Sequence, residues 1–385
     1  MSDTAYFDNA ATTFPKPKEV YTFMDSFYRS CGVNVGRGQH KLAARANALV
    51  DDTRQLLLDM FHCPEKKVVF TPSATEALNI ILQGLICSNG MTIYISPFEH
   101  NAVTRVLNHL KERYQLNIIT LAVERSELCY NLDKIRYQFV DKKPDMVIIS
   151  HASNVCGVIA PIKDISILAK RYNAITIIDM CQTAGLVDTD LSGDIIDFVV
   201  FAGHKTLYGP LGIGGFICSS YMKPLPLLFG GTGVDSANQA LPETIPERYE
   251  VASPNIMAIS GLYAALRWIR TTGLDSIRER ERDNHQHLLA VLGSFDNITV
   301  IAPSTANACV GVVSCIFDGY SSDNIGKVLS ECDIAVRTGL HCAPFSHQFL
   351  GTAPAGTVRF SVSYFTNESD FKALKQALDY ILENS

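Results

Sequence analysis

Two polar residues in this 385-residue chain stand where apolar runs end and glycines begin, the places where an open sheet exposes ligand-binding side chains. Lys205 follows Asp197-Phe-Val-Val-Phe-Ala-Gly-His204 and precedes Gly209-Pro-Leu-Gly; Asp179 closes Ala174-Ile-Thr-Ile-Ile, with Gln182 three residues on. A strand-end lysine able to form a Schiff base, with a strand-end aspartate able to face a pyridinium nitrogen, describes a site for pyridoxal 5'-phosphate (PLP). Alone, each has an ordinary reading: a solvated lysine, or an aspartate that ends a strand or caps a helix. Ser73-Ala74-Thr75-Glu76 lies between the apolar Val68-Val-Phe70 and a helix-period segment, so backbone N–H groups and a hydroxyl at a positive helix end suit a phosphate. The same four residues also read as a capping box.

A second group lies near the C-terminal end. Arg359, in Thr-Val-Arg-Phe-Ser, has the planar fork that clamps an amino-acid carboxylate, or is a surface strand arginine; Arg337 is a second cation for the same carboxylate. Cys342, in Gly339-Leu-His-Cys-Ala-Pro344, falls in a turn-prone segment beside Arg337, His341 and His347, the surroundings in which a thiol acts as a nucleophile.

These residues need a scaffold, and the apolar pattern provides one. Short continuous runs at Val68-Val-Phe, Thr92-Ile-Tyr-Ile, Asn117-Ile-Ile-Thr-Leu, Asp145-Met-Val-Ile-Ile-Ser, Ile175-Thr-Ile-Ile, Phe198-Val-Val-Phe and Gly214-Gly-Phe-Ile alternate with helical patterns. Continuous rather than alternating apolarity predicts a mostly parallel sheet covered on both faces, an α/β fold. Leu78, Ile81, Leu82 and Leu85 mark one face of a helix over 75–86. After Tyr221 the pattern breaks into a Pro/Gly-rich stretch, helical periodicity returns near Ile256, and a charged helix around Ile277 leads into a smaller α+β domain. The expected division is a large domain over 15–262, with 1–14 and 263–385 forming the small one.

A net charge of -6, from 33 basic and 39 acidic residues without a like-charge block, excludes a nucleic-acid arm or a membrane-surface helix. The start lacks a signal pattern and no run of about 18 apolar residues occurs, so a cytoplasmic protein is expected. Eleven cysteines without zinc-ligand spacing are expected as reduced thiols, with no metal site; Cys218 and Cys315 sit in apolar runs as small buried hydrophobes.

Taken in order, Phe7-Asp-Asn-Ala-Ala-Thr12, Ser73-Ala-Thr-Glu76, Glu99-His100, Ser150-His-Ala-Ser-Asn154, Gly203-His-Lys205 and Arg337-Thr-Gly-Leu-His-Cys342 resemble the fold-type I, class V aminotransferase group, and within it the cysteine desulfurases and selenocysteine lyases. The resemblance implies a homodimer. It gives Lys205 the Schiff base and proton transfers, Asp179 the pyridine nitrogen, and Gln182 the phenolate oxygen. Ala74, Thr75 and His204 would hold the phosphate, with Ser253 reaching in from a second subunit. His100 would stack on the ring and take part in catalysis, while Asn154 would touch a cofactor oxygen or the substrate carboxylate. One departure is Ala202, where relatives often carry a phosphate-binding serine. By the same resemblance Cys342 attacks the sulfur of L-cysteine, leaves alanine, and carries a persulfide to a protein acceptor. The short spacing to Arg359 resembles the group II desulfurases, with their compact cysteine loop. Selenocysteine lyase, class V aminotransferase and a low-activity PLP-binding sulfur-trafficking component remain alternatives.

Overall fold

The computed structural model of the chain describes residues 4–36, 38–234, 237–303 and 309–383. It opens with β1 (Ala5–Tyr6), α1 (Lys18–Cys31) and α2 (Lys41–Met60). Strands and helices then alternate: β2 (Lys67–Thr71), α3 (Ala74–Leu85), β3 (Thr92–Ile95), α4 (Asn101–Arg113) and β4 (Asn117–Thr120). A small hairpin follows, β5 (Val123–Glu124) with β6 (Cys129–Tyr130), then α5 (Leu132–Asp141), β7 (Met146–Ser150), α6 (Ile162–Lys170), β8 (Ile175–Asp179), β9 (Phe198–Ala202) and β10 (Gly214–Cys218). The remainder holds α7 (Ile256–Thr272), α8 (Leu274–Leu292), β11 (Ile298–Ile301), β12 (Val312–Phe317) and α9 (Ser322–Glu331). It ends with β13 (Ile334–Ala335), β14 (Arg337–Gly339), α10 (Pro344–Leu350), β15 (Thr357–Ser361) and α11 (Glu368–Glu383).

All seven expected apolar runs join one sheet, in the order β2-β10-β9-β8-β7-β3-β4. Only β10 runs against its neighbours; every other pairing is parallel. The continuous apolarity of these strands has a direct cause. Ile178, Val199 and Phe201 pack into one core with Ile259 and Leu262 of α7, while Ile177, Phe198 and Val200 pack into another with Leu78 and Ile81 of α3. Each strand therefore needs apolar side chains on both faces. The predicted helix is α3; Leu78, Ile81 and Leu82 are buried, and Leu85 is half-buried at the end of the stripe.

A second, antiparallel sheet runs β11-β12-β15-β14 over its own core, and β1 pairs in parallel with β13 beside it. Residue 262 falls within the continuous helix α7. In the charged helix α8 one carboxylate, Glu281, is turned inward and is only 6 % exposed. No disulfide is formed, and Cys218 and Cys315 are buried. Among the described residues, no helix is long and apolar enough to cross a membrane.

Candidate active site

β2, β7, β8 and β9 run parallel to one another, so their carboxyl ends share one edge of the sheet. A cavity of about 230 Å³ opens there. Asp179 ends β8 in its wall, and Oδ1 accepts from the Cys181 N–H at 2.9 Å, which fixes the carboxylate at the strand tip. Gln182, just beyond, gives one amide hydrogen to the Ala10 carbonyl at 2.9 Å, leaving a second for the cavity. Ser73 caps α3, accepting from the Glu76 N–H at 3.2 Å, so Ala74 and Thr75 present the first turn of the helix to the same space. Gly214 permits this approach: a Cβ there would meet Ala74 N at 2.8 Å.

His204 and Lys205 follow β9 and are held by their backbones. The His204 carbonyl accepts from Thr13 N at 3.1 Å, from Thr12 Oγ1 at 3.0 Å and from Lys16 Nζ; the Lys205 carbonyl accepts from Thr13 Oγ1 at 2.9 Å. The chain near the N-terminus thus pins the loop and leaves the Lys205 side chain to the cavity. His100 caps α4, its Nδ1 accepting from Ala102 N–H at 3.0 Å, which makes Nε2 the protonated nitrogen of the neutral ring. Burial and Lys205 push His100 down to about 4.

The opposite wall comes from the small sheet. Arg359 on β15 is 1 % exposed; its Nη2 pairs with Asp8 Oδ1 at 2.7 Å and Nη1 donates to the Asn154 carbonyl at 3.0 Å. The reading of Arg359 as a surface arginine fails, because the guanidinium is locked in place with Nε still lacking a partner. Arg337, on the neighbouring β14, directs Nη2 to Cys342 Sγ at 3.4 Å. His341 and Cys342 both adopt left-handed backbone, φ 47° and 56°, a conformation few residues other than glycine hold without support. Support is present: the Cys342 carbonyl accepts from Asn101 N at 2.7 Å and the His341 carbonyl from Asn154 Nδ2 at 2.8 Å. The sequence counted His341 and His347 among the groups that activate Cys342. Both are buried, and burial pushes them down to about 2 and about 4, so they are neutral and the cation bonded to the sulfur is Arg337.

The cavity therefore gathers Ala74, Thr75, His100, Asn154, Asp179, Gln182, His204, Lys205, Arg337, Cys342 and Arg359, and Ala202, noted above as a departure, lines it with its methyl group. Ser253 is exposed and does not line it. The donor set suits PLP: a carboxylate for a protonated ring nitrogen, a helix N-terminus for a phosphate, and a buried His204 Nδ1 without a partner. Sequence reasoning missed three contributors. Asp8, Lys16 and Glu99 act through Arg359, the His204 carbonyl and Ser150 respectively, and two of them stood inside motifs already singled out. Burial pushes Lys16 down to about 7.

The sequence profile described as aminotransferase class-V matches residues 5–374. Among curated proteins, a probable cysteine desulfurase of Pyrococcus abyssi is 30 % identical, covering 99 % of this chain and 95 % of its own length. One from Methanothermobacter thermautotrophicus is 28 % identical with the same coverage. Among solved structures, the apo cysteine desulfurase of Thermococcus onnurineus superposes with a TM-score of 0.91 at 28 % identity, covering 100 % of this chain and 96 % of that one. An Escherichia coli cysteine desulfurase gives 0.86 at 25 % identity, covering 99 % and 95 %.

Proposed function

We propose that this chain, which belongs to the aminotransferase class-V family, is a PLP-dependent cysteine desulfurase that converts L-cysteine to L-alanine and holds the sulfur as a persulfide on Cys342. The observation that carries the reading is Cys342 Sγ bonded to Arg337 Nη2 at the wall of the cavity that also contains Lys205 and Asp179. A transaminase has no use for that thiol; a sulfur-removing enzyme requires it.

In this reading PLP, held by Lys205, Asp179, Gln182, His204 and the first turn of α3, supplies the electron sink for charge released at the amino-acid Cα. The remaining work belongs to the chain. Arg359 keeps three N–H donors beyond those given to Asp8 and Asn154, and binds the substrate carboxylate with Arg337 alongside. Lys205 Nζ moves the proton at the substrate carbon, and His100 Nε2–H is a donor lining the same cavity. The Cys342 thiolate attacks the substrate sulfur. The S–S bond forms as the C–S bond breaks, the electron pair goes to carbon, and a proton taken up there completes alanine. Overall, L-cysteine and Cys342–SH give L-alanine and Cys342–S–SH, with no external oxidant. A thiol or a protein acceptor then removes the sulfane sulfur.

The test is alanine release from L-cysteine by purified PLP-loaded protein, with and without a reductant. Turnover that rises with the reductant supports the desulfurase. Dependence on a keto acid would indicate an aminotransferase, and selenocysteine as the only substrate would indicate a lyase. Spectral binding without turnover would indicate a sulfur-trafficking component.

A further inference from the structure

His341 carries a buried nitrogen that no described residue satisfies. The residue is 3 % exposed and lines the same cavity as Cys342 and Lys205; its Nε2 lies 2.9 Å from Thr357 Oγ1, and its Nδ1 has no hydrogen bond. The hydroxyls behind the ring decide which nitrogen holds the hydrogen. Ser314 Oγ is 2.7 Å from the Val155 carbonyl oxygen, which only accepts, so Ser314 gives its single hydroxyl hydrogen there. Thr357 Oγ1, 3.0 Å from Ser314 Oγ, must then donate to it. That leaves Thr357 only a lone pair to offer His341, so Nε2 carries the hydrogen and Nδ1 is a bare acceptor. Burial, with Arg359, His347 and Arg337 adding to it, keeps the ring neutral.

No described residue uses this acceptor. Cys342 Sγ accepts from Arg337, and His347, its ring centroid 5.3 Å away, makes no bond to Nδ1. A buried acceptor without a donor is unfavourable unless something entering the site provides one. The rest of the cavity is rich in donors, which suit a carboxylate and a phosphate. An L-cysteine substrate brings one hydrogen those groups do not need: its thiol, which stays protonated at neutral pH, its ordinary value being about 8.5. Its amino group is committed to the Lys205 side of the cavity.

We propose that His341 Nδ1 accepts the thiol hydrogen of the incoming amino acid, holding its sulfur beside Cys342 and distinguishing a thiol from a methyl group of the same shape. This rests on the desulfurase reading for the identity of the substrate. The locked tautomer is the device: a ring free to place its hydrogen on Nδ1 would repel the thiol hydrogen instead of accepting it.

The test uses PLP-loaded Cys342→Ala protein, which retains the sulfur, and reads binding from cofactor absorbance. L-cysteine is compared with L-2-aminobutyrate, in which a methyl replaces the thiol. Cysteine is expected to bind about threefold to tenfold more tightly. The preference should vanish when His341→Leu is added, persist with His341→Asn, whose Oδ1 can stand in for Nδ1, and weaken with Thr357→Val, which removes the hydroxyl that sets the tautomer. Independently, ¹⁵N-histidine spectra of the wild type should show His341, identified by its loss in His341→Asn, with Nε2 protonated and Nδ1 bare. An unchanged preference in His341→Leu, no preference at all, or a protonated Nδ1 overturns the proposal. If His341→Leu does not fold, Thr357→Val and the spectra decide. Alanine release is scored separately. A preference that follows His341 without alanine release defeats the reaction and keeps the acceptor; alanine release with no such preference does the reverse.

Discussion

At the scale of single residues, two contacts bear most of the chemistry. Removing the Cys342 thiol leaves Lys205, Asp179 and Arg359 in place, so Cys342→Ala should still change the cofactor spectrum with L-cysteine while alanine release falls on the order of a thousandfold. Equal alanine formation by variant and wild type would defeat the desulfurase reading. Asp8 is a different case, because it acts through another side chain. Asp8→Ala leaves Arg359 buried without its counter-charge, and the loss should be about 2–3 kcal/mol in urea unfolding, toward the low side for a buried pair because the Asp8 side chain is 21 % exposed. The freed guanidinium should also raise KM for cysteine more than it lowers kcat. The Asp8 and Arg359 positions were each legible in the sequence, inside a motif and a short strand. Their pairing was not, since nothing local reports a contact across 351 residues.

At the scale of elements, Glu99 joins two of them. It is fully buried two residues before α4, and accepts from the Ser150 N–H and Oγ at the end of β7, at 2.6 and 2.9 Å, and from Ser96 Oγ. Burial, with Asp179 adding to it, raises Glu99 from 4.5 to about 7. The sign follows: the folded form holds this proton more tightly than the unfolded form, so the penalty for ionising it is absent below about 4.5 and complete above about 7. Buried His100, His341 and His347, pushed down, give the opposite slope in both the wild type and Glu99→Gln, so the difference is what reports on Glu99: the wild type should lose thermal stability relative to Glu99→Gln as the pH rises from about 4.5 to about 7. Glu281 is also raised to about 7 by burial and contributes the same sign to both proteins, so the difference between them isolates Glu99. A Glu99→Gln slope identical to the wild type would refute the assignment. The strands were readable because burial on both faces demands unbroken apolar runs. Glu281 was hidden, because one inward carboxylate in a run of charges looks like its solvated neighbours. His341 and His347 were misjudged for a related reason: a sequence shows a basic residue type, whereas charge depends on burial.

At the scale of the molecule, Ser253 is the residue the single chain leaves outside its cavity. If a second copy places it at the phosphate, the defect of one subunit can be supplied by the other. Lys205→Ala and Ser253→Asp proteins, each expected to be inactive alone, should regain about a quarter of wild-type activity when co-expressed in equal amounts, since half the dimers are hybrid and each hybrid has one intact site. No recovery would mean that Ser253 does not act across subunits. We likewise propose the division at 262 as a working one, and limited proteolysis of the folded protein would show whether cleavage clusters there.

The segment from Phe7 to Thr13 that pins the His204–Lys205 loop is itself pinned from the far end of the chain. Phe7 O accepts from Ser361 N at 2.6 Å, Asn9 Nδ2 reaches Ser361 O at 2.8 Å, and Ala10 N reaches Ser361 Oγ at 2.8 Å. These partners are about 350 positions apart, which a ribosome at roughly 5–20 residues per second covers in on the order of tens of seconds. Through that interval β2 to β10 can fold, yet the strap that orders Lys205 has nothing to close upon. Ordering of the His204–Lys205 loop should therefore wait until Ser361 has been made, and a polypeptide stalled before Ser361 should be a folded sheet with that loop unpinned.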